Sequence, residues 1–379
     1  MKKISILGLH LNYGGIERAI INEANALSTK YDVELAISYK LRDFPAFYLS
    51  PKVKVVYLTD VKPNRKELDE CIKKHDVIGF IKEAIKSIKI LHKRRNTMKK
   101  YIEETDSDII LSSRIEFTKL LKYSNKNVIR IGEEHKHHNN NQKYIKKVKR
   151  AFKKVDYLVN VSTELNDFYT GLLKKTKCIY IPNSLDEDKV EVSNLKTKNV
   201  ISVGRLSHEK GFLDLIEVFK KISEKEKEAH LDIVGDGNER EAIEEKIKEY
   251  NLEDKVTLHG FQGREYINEL MKNSSLYILC SYEESFGLVL IEAGNFGLPQ
   301  MAFTSAQGAC QIIENNKSGY LIENRNINEM AKKAISLLND KDKLHEFGIE
   351  AKKISNIYSF ENVKKMWINF IENEVLKNE

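Results

Sequence analysis

The same opening unit occurs twice in this chain, and that repetition constrains the fold more than any other feature. Lys3 to Leu9 is a short apolar run that leads into Asn12-Tyr13-Gly14-Gly15, then into a helical pattern through Ile16, Ala19, Ile20 and Ala24. Lys198 to Val203 is a second run, followed by Gly204-Arg205 and Lys210-Gly211, then a helix through Leu213, Ile216, Val218 and Phe219. Strand, glycine turn and helix is how a parallel α/β domain begins. Further strands are expected at Val33–Ile37, Val53–Leu58, Ile109–Ser112, Val128–Ile131 and Tyr157–Val161 in the first half. The second half continues with His230–Val234, Val256–Leu258, Leu276–Leu279 and Gln300–Phe303. Helical stretches separate them, so the fold class is α/β, two doubly wound Rossmann-like domains.

The length of 379 residues suits two hydrophobic cores. The expected domains are 1–190, 191–360 and a C-terminal helix, 361–379, crossing back to the first domain. Pro182-Asn183, Asp186-Glu187-Asp188 and Ser193-Asn194 read as the linker. In the tail, Val363, Met366, Trp367, Phe370 and Ile371 share one face of a helix expected over Glu361–Leu376.

Charge is unevenly divided. Residues 1–190 carry 38 Lys and Arg against 24 Asp and Glu, whereas residues 191–379 carry 25 against 32. One half therefore faces an anionic partner and the other does not. The basic residues concentrate at 82–100, around Ile85, Ile88 and Leu91, and at 143–154, around Tyr144, Ile145, Val148 and Phe152. Solvated helices and docking on an anionic membrane surface explain them equally well. No nucleic-acid-binding motif accompanies the charge, so no nucleic-acid partner is expected. Cys71, Cys178, Cys280 and Cys310 form no C-x-x-C pair, which suits a reducing compartment. Lys2-Lys3 before the first apolar run is read as the start of a strand rather than a signal peptide, and the expected location is cytoplasmic.

Three segments carry chemistry. In Ser281-Tyr-Glu-Glu284-Ser285-Phe286-Gly287-Leu288-Val-Leu-Ile-Glu292 a strand ends in a polar loop and a helix begins, so free N–H groups and the dipole suit a diphosphate. Glu284 in the loop and Glu292 down the helix can each hold hydroxyls of one ligand. In Gly204-Arg205-Leu-Ser-His-Glu-Lys210-Gly211, two cations beside a helix start can neutralise a departing diphosphate. Val234-Gly235-Asp236-Gly237 and His259-Gly260-Phe261 are glycine turns at strand ends, open to close backbone approach. Taken singly, each has a bland reading as surface charge or turn chemistry.

Together these segments resemble the retaining glycosyltransferases of family 4, of GT-B fold and bacterial cell-surface polysaccharide type, and the likeness covers essentially the whole chain. Gly14-Gly15-Ile-Glu17-Arg18 is similar to that family's first-strand loop, with Gly15 on the donor side. The resemblance implies that Arg205 and Lys210 bind the donor diphosphate and Glu292 the ribose. Glu284, with the N–H groups of Ser285, Phe286, Gly287 and Leu288, would hold the sugar and β-phosphate. Gly204, Gly235–Gly237, Gly260 and Phe261 would border the donor. Glu134-His135 resembles the family's active-site histidine on the acceptor side. Gln307-Gly-Ala-Cys-Gln311 departs from the Pro and Glu of many relatives.

The expected function is transfer of a hexose or N-acetylhexosamine from a UDP-sugar to a lipid-linked or polysaccharide acceptor, with no metal or other cofactor and the protein peripheral on the membrane. A soluble acceptor and a non-catalytic sugar-nucleotide-binding module remain as alternatives. His135, His137 and His138 with Glu133 and Glu134 have no standard metal spacing and read as a mobile loop. Asp106-Ser-Asp108 and Asp186-Glu-Asp188 read as turns.

Overall fold

The computed structural model describes residues 1–186 and 190–378, so Glu187 and Asp188 of the expected linker lie outside the described residues. The chain forms two compact units, Met1–Ile181 joined by the tail from Lys364, and Pro182–Val363.

The first unit is built on seven strands: β1 (Lys3–Gly8), β2 (Asp32–Tyr39), β3 (Lys54–Thr59), β4 (Ile109–Ser112), β5 (Ile129–Glu134), β6 (Tyr157–Asn160) and β7 (Lys177–Tyr180). All pair in parallel, in the order β3-β2-β1-β4-β5-β6-β7. The second holds β8 (Asn199–Val203), β9 (His230–Val234), β10 (Val256–Leu258), β11 (Leu276–Leu279), β12 (Gln300–Phe303) and β13 (Gly319–Ile322). These are parallel too, in the order β10-β9-β8-β11-β12-β13. Central strands are buried on both sides: Ile4, Ile6, Ile109, Ile110 and Leu111 in one sheet, Ile201, Leu276 and Ile278 in the other. That is why they read as continuous apolar runs rather than alternations.

In each sheet the order reverses once, between β1 and β4 and between β8 and β11. Loops diverge there in opposite directions and leave a crevice at the carboxyl ends of the strands, where open α/β sheets place ligands.

The tail departs from a single helix. Phe360–Phe370 is α-helical, then Ile371–Val375 widens into a π turn and Leu376–Asn378 closes in a 3-10 turn. Trp367, Phe370 and Ile371 are buried as expected, Met366 only partly. Tyr157 donates to the Glu374 carbonyl at 2.6 Å, with its ring edge-on to Phe370 at 5.3 Å.

The first unit closes at Ile181 because the following segment is bonded into the second. Leu185 N donates to Tyr358 O (2.9 Å), and Ser193 donates from N to Phe296 O (2.9 Å) and from Oγ to Ser274 O (2.5 Å).

The two basic segments, read alike from sequence, differ. Helix Gln142–Phe152 buries Ile145, Val148 and Phe152 and turns its lysines to solvent. Helix Val77–Glu104 buries only Ile90, Met98 and Ile102. Its first half instead exposes Ile78, Ile81, Ile85, Ile88 and Leu91, a stripe at helical spacing. No helix among the described residues is long and apolar enough to cross a membrane.

Candidate active site

In the second unit all the chemistry-bearing segments sit at the carboxyl ends of parallel strands. Three of the loops lock main chain to main chain. Gly204 N donates to Val234 O (2.9 Å), Gly235 N to Gly260 O (2.9 Å) and Leu206 N to Asp236 O (3.0 Å). A Cβ added at Gly235 would lie 1.8 Å from Gly204 O, and one at Gly237 2.2 Å from Leu206 O. The close approach for which these glycines were singled out is thus made by a neighbouring loop. Asp236 is exposed and accepts from Gly237 N (2.8 Å), and Phe261 lies 58% exposed beside Gly260.

Across the switch point the loops after β8 and β11 touch. Lys210 ends a 3-10 turn, and Gly211, in the left-handed region (φ +64), starts helix Phe212–Lys225. A Cβ on Gly211 would meet Cys280 O at 2.1 Å. Tyr282 N donates to Glu209 O (2.9 Å), and Lys210 Nζ donates to Glu284 Oε2 at 2.6 Å. Lys210 and Glu284, 74 residues apart, are therefore one mostly buried ion pair. Arg205 is separate: its side chain is 71% exposed and donates to Glu209 Oε1 (2.8 Å). The expected pair of adjacent cations is thus one cation in the crevice and one on its rim, each with a carboxylate.

Sequence reasoning missed Arg325. It follows β13 and donates to the Ser281 carbonyl (3.0 Å), the Cys280 carbonyl (2.9 Å), Ser305 Oγ (2.9 Å) and Asp214. Its guanidinium lies 3.6 Å from the Tyr282 ring centre, a ring on which His208 also stacks at 5.0 Å. Arg325 therefore fixes the loop that carries Glu284. A lone arginine 20 to 111 residues from its partners leaves no local trace.

Gly287 (φ +95) caps helix Leu288–Asn295, and Gly308 N donates to Glu284 O (2.8 Å). The Phe286 side chain is buried edge-on to Tyr358 (5.4 Å), so Phe286 offers a ligand only its main chain. Glu292 is buried and ion-paired with Arg264. The resemblance assigns Glu292 to the ribose; in the folded chain the Arg264 guanidinium holds its carboxylate.

The first unit has its own bridge across a switch point. Helix Gly15–Leu27 carries Glu17, which pairs with Arg114 from beyond β4, and His10 Nδ1 lies 3.8 Å from Glu17. Burial, and then Arg114, lower the His10 pKa against the pull of Glu17.

At the end of β5, Glu133 and Glu134 point to opposite sides. Glu133 accepts from Ser113 Oγ, and His135 Nε2 lies 3.3 Å from Glu133 Oε2. Glu134 accepts from Tyr144 OH on both oxygens (3.1 Å each) and from Lys136 N (2.8 Å). Burial outweighs these bonds and pushes its pKa up to about 7.

The mobile loop expected around the other histidines is ordered. His137 bonds Glu164 (3.2 Å), and His138 stacks on His137 (4.5 Å) and on Phe168 (3.9 Å). Asn139 and Asn140 take left-handed φ, and Asn141 caps helix Gln142–Phe152 through its side chain. This asparagine run is helix-start chemistry. Asp106 and Asp108 likewise hold Lys3, through its ammonium and its main-chain N–H (2.8 Å) respectively.

Residues 184–354, spanning every one of these second-unit loops, match the family of glycosyl transferases group 1. The second unit is thus similar to the group 1 glycosyltransferases, a likeness that spans rather less than half of the chain. An uncharacterized glycosyltransferase of Haemophilus influenzae is 28% identical over 97% of this chain and 99% of its own length. The Campylobacter jejuni GalNAc-alpha-(1->4)-GalNAc-alpha-(1->3)-diNAcBac-PP-undecaprenol alpha-1,4-N-acetyl-D-galactosaminyltransferase is 26% identical over 98% of both chains. Among solved structures, Staphylococcus aureus TarM, complexed with UDP, superposes with a TM-score of 0.77. It is 19% identical over 98% of this chain and 100% of that one. The likeness to this structure shows the GT-B fold.

Proposed function

We propose that this protein is a glycosyltransferase that moves a hexose or N-acetylhexosamine from a UDP-sugar to a lipid-linked or polysaccharide acceptor, with retained anomeric configuration. The observation that carries this reading is the Lys210–Glu284 pair at the β8/β11 switch point. A diphosphate arriving there competes for the Lys210 ammonium and frees the Glu284 carboxylate to accept from sugar hydroxyls. Arg205 on the rim adds charge as the leaving group departs. C1 loses its bond to the β-phosphate oxygen and gains one to the acceptor oxygen on the same face. The acceptor proton passes to the departing diphosphate. The turns at Gly204, Gly235–Gly237 and Gly260–Phe261 border the donor, and Glu292, exchanging with Arg264, takes the ribose. His135 serves the acceptor side. The UDP complex of TarM supports the choice of base.

A lipid-borne acceptor is favoured by the first unit. A groove of about 550 Å3 beside helix Val77–Glu104 is lined by seven Lys and Arg side chains, Arg94, Arg95 and Arg150 among them, against one carboxylate, Glu116. The exposed stripe Ile78–Leu91 lies on the same helix. Apolar contact plus cations suits a peripheral stance on an anionic bilayer, about 1 kcal/mol for each basic residue near the surface.

A panel of UDP- and GDP-sugars tests the donor: slow hydrolysis of one or more UDP-sugars is expected, and turnover restricted to GDP-sugars refutes the base. Sedimentation with anionic vesicles should occur at low salt and fade as salt rises; no binding at low salt points to a soluble acceptor.

A further inference from the structure

Behind His135 lies a buried acid that the transfer reaction, as described, does not use. Glu133 and His135 are two residues apart at the end of β5, so their side chains leave the same side of the strand. Glu133 is almost fully buried, and so is Glu23, from helix Gly15–Leu27, whose carboxyl hydrogen-bonds to it. Two carboxyls in contact in a low-dielectric site do not both ionise. The partners decide which keeps the proton. Glu133 also has the Ser113 hydroxyl and the His135 ring, whereas Glu23 Oε1 has no hydrogen-bond partner. The charge therefore stays on Glu133. Titration runs the same way: burial and the neighbouring acid raise Glu23 well above the usual carboxylate range. Burial also opposes ionisation of Glu133, but its hydrogen bonds outweigh it and hold that group low.

We propose that Glu133 is a positioning residue for His135. A carboxylate only accepts, so the ring nitrogen facing it, Nε2, must carry the proton. Nδ1 is then bare and accepts a hydrogen bond from a sugar or acceptor hydroxyl. Glu23 and Ser113 hold Glu133 in that role. The inference rests on the reading of His135 as an acceptor-side residue.

Nitrogen NMR of the full chain labelled with 15N-histidine reads the tautomer directly. The Nε2–H form is expected for His135, and a dominant Nδ1–H form overturns the proposal even if no variant folds. Glu133→Gln replaces the pure acceptor with an amide that both donates and accepts, so the tautomer preference should collapse. Donor hydrolysis should then lose about tenfold or more in kcat, with donor KM near wild type. Glu23→Gln, whose amide still donates to Glu133, should keep the wild-type tautomer. An unchanged tautomer or an unchanged kcat in Glu133→Gln overturns the role of Glu133. His135→Ala separates the two readings. Wild-type transfer in that variant removes His135 from the reaction and overturns both. Lost transfer there, with none lost in Glu133→Gln, overturns this inference alone.

Discussion

Replacing Glu134 with Gln should stabilise the protein, and only above weakly acidic pH. The carboxyl is buried under Tyr144, and its pKa is raised from the ordinary 4.5 to about 7. The folded chain therefore keeps a proton that the unfolded chain has already released between those values. Wherever the unfolded state binds fewer protons, stability falls as pH rises. The contribution is thus intact below pH 4.5, declines up to about pH 7, and is fully lost above that. At about 1.36 kcal/mol per pKa unit, the displacement of some 2.5 units amounts to roughly 3 kcal/mol. Gln retains a carbonyl for Lys136 N and an amide for Tyr144 OH, and it never ionises. Urea unfolding of both proteins at pH 4.5 and pH 8 measures the effect, followed by the fluorescence of Trp367, the one tryptophan, which belongs to the first unit. Near-equal midpoints at pH 4.5 and a gain of up to about 3 kcal/mol for the variant at pH 8 are expected. An equal difference at both pH values, or a less stable variant at pH 8, would refute the reasoning.

Lys210→Ala should lower turnover at saturating donor by on the order of 100- to 1000-fold, and Arg205→Ala, on the rim, by less; near wild-type rates in both would sink the diphosphate assignment. Glu292→Gln should weaken binding of free UDP in a calorimetric titration, while Glu284→Gln leaves UDP affinity nearly intact and lowers turnover; the reverse order contradicts the division of labour. His135→Ala should keep its melting temperature and lose at least about tenfold in transfer, whereas His138→Ala, stripped of its stack on Phe168, should lose about 1–3 kcal/mol of stability. The same behaviour in both variants would defeat the distinction.

The sequence by itself determined the α/β class, the two sheets and the loops at their carboxyl ends. Central parallel strands such as Ile4–Leu7 and Leu276–Leu279 are covered on both faces, so they must be uniformly apolar and stand out. The edge strands Lys177–Tyr180 and Gly319–Ile322 escaped notice because each is only four residues long, the first mixed and partly exposed, the second mostly buried but opened by a glycine. Gly319 is there because a Cβ would lie 1.8 Å from Gln300 O, a constraint visible only once β12 is beside it. Turn glycines and the Glu284 and Lys210 loops were legible because strand ends and helix starts use local chemistry. Tertiary structure alone decided the partners. It brought Lys210 to Glu284, Arg264 to Glu292 and Arg325 to the Cys280 and Ser281 carbonyls, and it set Glu23 against Glu133. It also sent Ile145 and Val148 inward while leaving Ile85 and Ile88 in solvent. Charge and hydropathy are properties of a residue, but pairing, burial and protonation depend on what the fold sets beside it. Those neighbours come from strands and helices tens of residues away, and no local pattern encodes them.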